Sequence, residues 1–202
     1  MLTLRDEPSD ALVAVAPSAG RVFRVHVCTD DLRGAIVADL IRRIADLVHD
    51  WQVITTATAV PAGAAALNIY PAEPAQAIGS AHVRIGCTGG DGCHLLTGAF
   101  STGSDVAPHD PLSLRLAVLG NRYRASLDLD EASIEAADAA LQRWRAAVAS
   151  WARSPGAPMA KEPVRAIVAA LEDDLDSPLA LQVLRDLEID ESVAPGAKFE
   201  TF

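Results

Sequence analysis

PLSLRLAVLGNRYRASLDLDEASIEAADAALQRWRAAVASW, residues 111–151, reads as a short helix, an irregular elbow and a long helix. In the long helix Ile134, Ala137, Leu141, Trp144, Val148 and Trp151 recur at alternating spacings of 3 and 4. That is an apolar seam, and a seam requires a partner helix to cover it. Asp128 or Asp130 is placed to cap the helix start, because a short side-chain acceptor there satisfies orphan backbone donors. In the short helix Leu112, Leu116 and Leu119 share one face, and Arg115, Arg122 and Arg124 bracket the elbow. A helical hairpin within a bundle is the direct implication.

Downstream, a Pro-rich break at residues 154–158 separates two helical units. Residues 163–175 place Val164, Ile167 or Val168, Leu171 and Leu175 on one face. Ser177 and Pro178 then restart the chain as cap and first-turn proline, and Leu181, Leu184 and Leu187 continue the seam. Asp173, Asp174 and Asp176 sit one turn before this new helix, where capping and solvated charge account for them better than a metal does. The tail SVAPGAKFETF looks unfinished for a bundle.

Upstream the period changes from 3.6 to 2. RVFRVHVC, residues 21–28, alternates Phe23, Val25 and Val27 with Arg24 and His26, a strand pattern. A helix follows over 32–49 with Ile36, Leu40, Ile44 and Leu47 on one face, then a β-branched strand over 52–60. Strand, helix, strand over about 40 residues is a βαβ unit with parallel strands and a right-handed crossover. Short strands are also expected at 11–16, 67–70 and 82–87, a tight turn at Gly89–Gly92, and a loop at 100–108. The architecture expected is α/β plus α, with residues 1–109 and 110–202 as its two domains.

The 202 residues carry a net charge of −10, and half of them are hydrophobic. No run of about 18 uncharged apolar residues exists, so no membrane partner is expected. MLTLRDEPSD carries acid where a signal peptide needs base, which favours a cytoplasmic protein. Three cysteines fit a reducing compartment better than a disulfide framework. Residues 110–202 hold 10 Lys/Arg against 16 Asp/Glu. Phosphate-backbone binding relies on clustered cations, and only Arg115, Arg122, Arg124, Arg143 and Arg145 could form a strip, so nucleic acid is disfavoured.

The runs LRLAVLGNRYRASLDLDEASIEAADAALQRWRAAV and VRAIVAALEDDLDSPLALQVLRDL resemble the C-terminal helical domain of cysteinyl-tRNA synthetases and of cysteine:glucosaminyl-inositol (mycothiol) ligases. The residues that carry this resemblance are Arg115, Tyr123 and Arg124, then Leu141, Arg143 and Trp144, then Asp173-Asp174-Leu175-Asp176-Ser177-Pro178. The resemblance spans about residues 110–190. It implies a Rossmann-like sheet of the class I synthetase (HUP) type, followed by a bundle like the domain that contacts the anticodon stem.

It also implies chemistry that this chain lacks. In the family the first strand ends in a zinc-binding cysteine, then a His-Ile-Gly-His motif at a helix N-terminus that holds ATP phosphates. Here Cys28 stands in the cysteine position, and the chain passes from Cys28-Thr29-Asp30-Asp31 straight into Leu32. Each of the two carboxylates would repel a phosphate by about 4 kcal/mol at roughly 4 Å and an effective dielectric near 20. The second family motif, Lys-Met-Ser-Lys-Ser, falls on His94, Leu95, Leu96, Thr97 and Gly98, without either lysine. The family's inserted domain is missing as well.

The resemblance thus leads to a catalytically disabled relative that acts as a binding or regulatory module. Alternatives are a minimal enzyme or ligand-binding protein that retains cysteine or adenylate recognition, and a tRNA-binding accessory module. Candidate ligand-binding residues are Cys28, Asp30, Asp31, His94, Asn121, Arg122, Tyr123 and Arg124. No cofactor is expected; a zinc site, if rebuilt, would use Cys28, Cys87, Cys93 and His94. Partner or self-association is expected through the α/β part. Its candidate surface is residues 52–60 and 67–70, with Ile54, Val60, Ile69 and Tyr70, unless residues 61–80 fold back as a loop and cover it.

Overall fold

A computed structural model describes residues 1–17, 20–75, 80–102 and 109–202. The chain opens with a hairpin of β1 (Thr3–Asp6) and β2 (Ala11–Ala14), paired antiparallel. β3 (Val22–Val27), α1 (Leu32–Leu47) and β4 (Gln52–Ala57) form the expected βαβ unit, and β3 and β4 are parallel. β5 (Glu73–Pro74), β6 (Val83–Ile85) and β7 (Cys93–Leu95) complete a parallel sheet in the order β5-β4-β3-β6-β7. β3 therefore lies at the centre, with its sequential neighbour β4 on one side and β6 on the other.

Alternation decides which way the sheet faces. The register aligns Val25 with Thr55 and Val83, and Val27 with Ala57 and Ile85. Because side chains alternate across a strand, these residues share one face. That face packs on Val37, Ala38 and Ile41 of α1, in a core that also takes in Leu2, Leu4, Tyr123 and Leu175. Phe23 is wholly buried in this core, with its ring 5.1 Å from that of Trp51.

The helical part is α2 (Pro111–Leu119), α3 (Glu131–Trp151), α4 (Lys161–Glu172), α5 (Ser177–Ile189) and α6 (Pro195–Thr201). Asp130, not Asp128, caps α3, accepting from the Ser133 amide at 2.9 Å. The α3 seam is covered: Ile134, Ala137 and Trp144 are buried. Asp176 rather than Ser177 caps α5, which leaves Ser177 and Pro178 in its first turn. The tail folds as α6, and Phe202 sets its ring 5.4 Å from Trp144 and 5.3 Å from Trp151.

Other expectations need correction. In α2 the residues most deeply buried are Ser113, Leu114 and Val118, not the Leu112, Leu116 and Leu119 face, because this helix packs against α1 and α3 at once. Residues 67–70 form a turn rather than a strand; Leu67 and Ile69 donate their amides back to Ala64. Part of the loop expected at 100–108 is β8 (Phe100–Thr102), which pairs in parallel with β9 (Leu127–Leu129) inside the elbow. Residues 103–108 lie outside the described residues.

Several contacts cross residue 110. Ile36 and Leu67 share a core cluster with Leu114, Leu127 and Ile134. The Thr3 carbonyl accepts from the Asp174 amide at 3.0 Å. Arg33, in the first turn of α1, has no exposure at all and donates to the Gly98 carbonyl at 3.1 Å and the Arg122 carbonyl at 2.7 Å. Burial pulls its pKa below the ordinary guanidinium value, and the carbonyl dipoles replace the water it has lost.

Candidate functional site

Open parallel sheets bind ligands outside the carboxyl ends of the strands, where the strand order reverses. In this order the reversal lies between β3 and β6. The residue following β3 is Cys28, whose amide donates to the Ile85 carbonyl at 2.8 Å. Two residues beyond β6 is Cys87. The two are joined by a disulfide with Cα atoms 5.8 Å apart, so a covalent bond spans the reversal point. This corrects the expectation of unpaired thiols: separation along the chain hid a pairing that the parallel register of β3 and β6 creates.

The floor of the crevice is filled from within. The Asp31 carboxylate caps α1, accepting from the Gly34 amide at 2.7 Å and from the Thr29 hydroxyl. Thr29 is wedged between two glycines. A Cβ on Gly34 would overlap Thr29 Cγ2, and one on Gly86 would come within 2.9 Å of Thr29 Cβ. Gly86 also has φ +82°, a conformation that only glycine adopts without strain. Asp30 is exposed at the rim. One donor that a phosphate would use at this helix N-terminus, the Gly34 amide, is thus taken by a resident carboxylate.

His94 lies in the middle of β7, not at the crevice. Its amide donates to Asp6 Oδ1 at 3.0 Å, and its Nδ1 is 3.5 Å from the same oxygen. The amide bond holds the Asp6 carboxyl below its usual pKa. Cys93 is buried with its thiol pushed up to about 12, first by burial and then by Asp6 and Asp174, so it is no nucleophile. As adjacent strand residues, Cys93 and His94 point to opposite faces. Among the described residues no three His, Cys, Asp or Glu side chains come together to hold a metal. The set Cys28, Cys87, Cys93 and His94 does not fit zinc: two of its thiols are bonded to each other, and a third is on the far face from His94.

The elbow residues are committed to the protein itself. Asn121 Nδ2 donates to the Ala117 carbonyl at 3.0 Å, and Arg122 pairs with Asp176. The Tyr123 hydroxyl donates to Asp174 Oδ1 at 2.6 Å from a buried position, and burial together with that carboxylate pushes its pKa up. Arg124 lies 3.2 Å from Glu7. The acidic run 173–176 thus receives Arg122 and Tyr123 of the elbow, while Arg124 Nη1 is buried without a hydrogen-bond partner among the described residues.

Two polar arrangements escaped the sequence. The register sets His26 beside Arg84 and Arg84 beside His94 on one face, all three buried. His26 Nδ1 meets Thr56 Oγ1 at 2.9 Å, while the Nε2 atoms of His26 and His94 are buried without a hydrogen-bond partner among the described residues. The alternation of residues 22–27 put His26 on the polar face, but only strand pairing brings Arg84 next to it. Burial, then the Arg84 charge, lower the His26 pKa from 6.5, and burial with Arg24 does the same for His82.

A pH dependence follows. The folded chain resists protons that the unfolded chain accepts, so the stability from neutral His26 is complete above about pH 6.5 and is lost as pH falls through the lower folded value. One such proton weakens the fold by up to about 1.4 kcal/mol per pH unit, or roughly 3–5 °C in Tm. Thermal melts of wild type and His26→Gln between pH 7.5 and 5 check this. The wild type is expected to lose Tm more steeply, and parallel curves would contradict the assignment.

The second arrangement centres on Asp39, which is 3% exposed. Its carboxylate accepts from Arg43 Nε at 2.7 Å, from Arg115 at 2.6 Å and from the Tyr70 amide at 3.0 Å. Burial opposes its charge, but the bonds from Arg43, Tyr70 and Arg115 prevail and hold its pKa below 3.8. The spacing Asp39-Arg42-Arg43 was a readable helix-surface pairing. Its burial by residues 61–72 was not.

The parallel sheet with its crossover helix, reversal crevice and helical C-terminal region defines an α/β protein of Rossmann-like class. Among known proteins, the chain is similar to enzymes named L-cysteine:1D-myo-inositol 2-amino-2-deoxy-alpha-D-glucopyranoside ligase. It is 40% identical to that of Nocardiopsis dassonvillei over 87 residues, 43% of this chain and 20% of the ligase. It is 43% identical to that of Catenulispora acidiphila over 75 residues, 37% of this chain and 17% of the ligase. To that of Streptomyces griseus it is 43% identical over 72 residues, 36% of this chain and 17% of the ligase. The chain therefore matches a fifth or less of the length of these relatives. No protein-family model matches it. The resemblance to the mycothiol-ligase group holds over this partial region.

Proposed function

We propose that this chain is a non-catalytic relative of the cysteine ligases that works as a binding or regulatory module. The observation that carries the reading is the occupied crevice: Asp31 caps α1, Thr29 fills the space between Gly34 and Gly86, and the Cys28–Cys87 bond spans the reversal point. Adenylate formation needs an anion site there, and a resident carboxylate disfavours one by several kcal/mol. Nucleic acid is the weaker reading, because all five candidate arginines are paired. Arg115 meets Asp39, Arg122 meets Asp176, Arg124 meets Glu7, Arg143 meets Glu188 and Arg145 meets Asp110.

Partner association through the α/β part belongs to the same reading. Residues 61–72 fold back over part of the expected surface, burying Leu67, while Val60 and Tyr70 keep 64% and 58% of their surface exposed. The test is ATP–pyrophosphate exchange with cysteine, with and without prior reduction, beside light scattering alone and with a full-length ligase. The expected result is no exchange above a no-enzyme control and a mass increase on mixing. Exchange by the reduced protein would replace this reading with the minimal-enzyme one, and an unchanged mass at tens of micromolar would remove the partner.

A further inference from the structure

The loop that leaves β6 is fastened at few points. Gly86 still belongs to the sheet, its amide donating to the Leu95 carbonyl at 2.8 Å, and Cys93 rejoins it, donating to the His82 carbonyl at 2.9 Å. Between them, Arg84 holds Asp91: its Nε donates to the Asp91 carbonyl at 2.8 Å and its Nη2 to Oδ1 at 2.8 Å. Gly90 lies against that guanidinium, where a Cβ would come within 2.8 Å of Cζ. For residues 87–89 the Cys28–Cys87 bond is the one covalent or hydrogen-bonded tie to the sheet among the described residues.

That bond lies near solvent. Cys87 is half-buried and sits among exposed Gly86, Thr88, Gly89 and Gly90. Cys28 is also half-buried, but it follows buried Val27, and its amide is fixed to the Ile85 carbonyl. Neither sulfur supports the apolar core, which takes in Cys93 but not Cys28 or Cys87. The Cys93 thiol, buried and pushed up to about 12, is no internal attacking group. A partly exposed disulfide belongs to the labile kind that exchanges with thiols, whereas structural bonds resist them.

We propose that Cys28–Cys87 is a redox switch that exchanges with small uncharged thiols, and that opening it frees residues 87–89 while the sheet stays intact. The attacking thiolate bonds to Cys87 Sγ as the Sγ–Sγ bond breaks. The electron pair leaves on Cys28 Sγ, which takes a proton from water. A second thiolate then attacks the small molecule's sulfur in the mixed disulfide, releasing Cys87 as a thiol and the two small thiols as their disulfide. Anionic thiols are repelled, because Asp30 and Asp31 follow Cys28 and Asp91 closes the loop, in a chain of net charge −10. The switch stands whether or not the chain makes an adenylate, which pyrophosphate exchange reads separately.

The experiment treats the oxidised protein, folded and in denaturant, with mercaptoethanol and with mercaptoethanesulfonate, followed by alkylation and mapping by mass spectrometry. Mercaptoethanol is expected to react with the folded protein within about tenfold of its rate in denaturant, first forming an adduct on Cys87. Folding should slow the sulfonate about threefold more than the neutral thiol, a difference that shrinks with salt. In Cys28→Ser, Cys87 should take up the disulfide of mercaptoethanol about tenfold faster than Cys28 does in Cys87→Ser. On reduction, ¹⁵N relaxation should show the heteronuclear NOE falling at residues 88–89 and holding in β3 and β6. Reaction only in denaturant, an adduct mainly on Cys28, equal slowing of the two thiols, an unchanged NOE at 88–89, or loss of the β3 signals on reduction would each overturn the proposal.

Discussion

Reduction of the Cys28–Cys87 bond is expected to lower the stability of the folded chain by about 4 kcal/mol, roughly 10 °C in Tm. The bond closes a loop with a sequence separation of 59 residues. In the chain-entropy account, the gain comes from the states that such a cross-link denies the unfolded chain. The folded state changes little on reduction, because the Cys28 amide and the Gly86 amide remain bonded to Ile85 and Leu95 in the sheet. The measurement is thermal unfolding with and without reductant, with thiols counted by mass spectrometry and a Cys28→Ser, Cys87→Ser double variant as reference. The reduced wild type and the double variant should melt together, below the oxidised protein. Three free thiols in the protein purified without reductant, or one Tm in both redox states, would contradict the pairing.

Replacing Asp39 with Ala is expected to cost about 3 kcal/mol, near the lower end of the range for stripping one partner from a buried charge cluster. Arg43 is about a third exposed and can return to water, which limits the loss. Arg115, at 12%, and the Tyr70 amide have no such recourse. The variant should also release the fold-back of residues 61–72. Hydrogen exchange at residues 64–70 is expected to accelerate far more than in β3, where the sheet ladder is untouched. Asp39→Asn retains an acceptor and should fall between the two. Because the Asp39 pKa is depressed, its contribution is complete above pH 3.8 and is lost as the pH falls below that value. A loss under 1 kcal/mol at neutral pH, or uniform acceleration across the sheet, would show that Asp39 does not latch this segment.

The amino-acid sequence by itself determined the elements that local period encodes. The 3–4 spacing from Ile134 to Trp151 is α3, the alternation from Val22 to Val27 is β3, and the strand-helix-strand order made the pairing of β3 with β4 parallel. The motif resemblance to the ligases was also carried by side chains in order along the chain. Tertiary structure decided everything that depends on which strands are neighbours. Residues 83–85 and 93–95 are too short for their period to say where they pair, and their positions beside β3 create both the Cys28–Cys87 bond and the His26–Arg84–His94 row. Residues 64–70 lack a period altogether, so their role as a fold-back held by Asp39 exists only once α1, carrying Asp39, and α2, carrying Arg115, are packed together. The physical reason is the same in each case. Hydrophobic period is a property of a local segment, whereas a buried charge or a disulfide is satisfied by partners that chain collapse brings from 30 to 80 residues away.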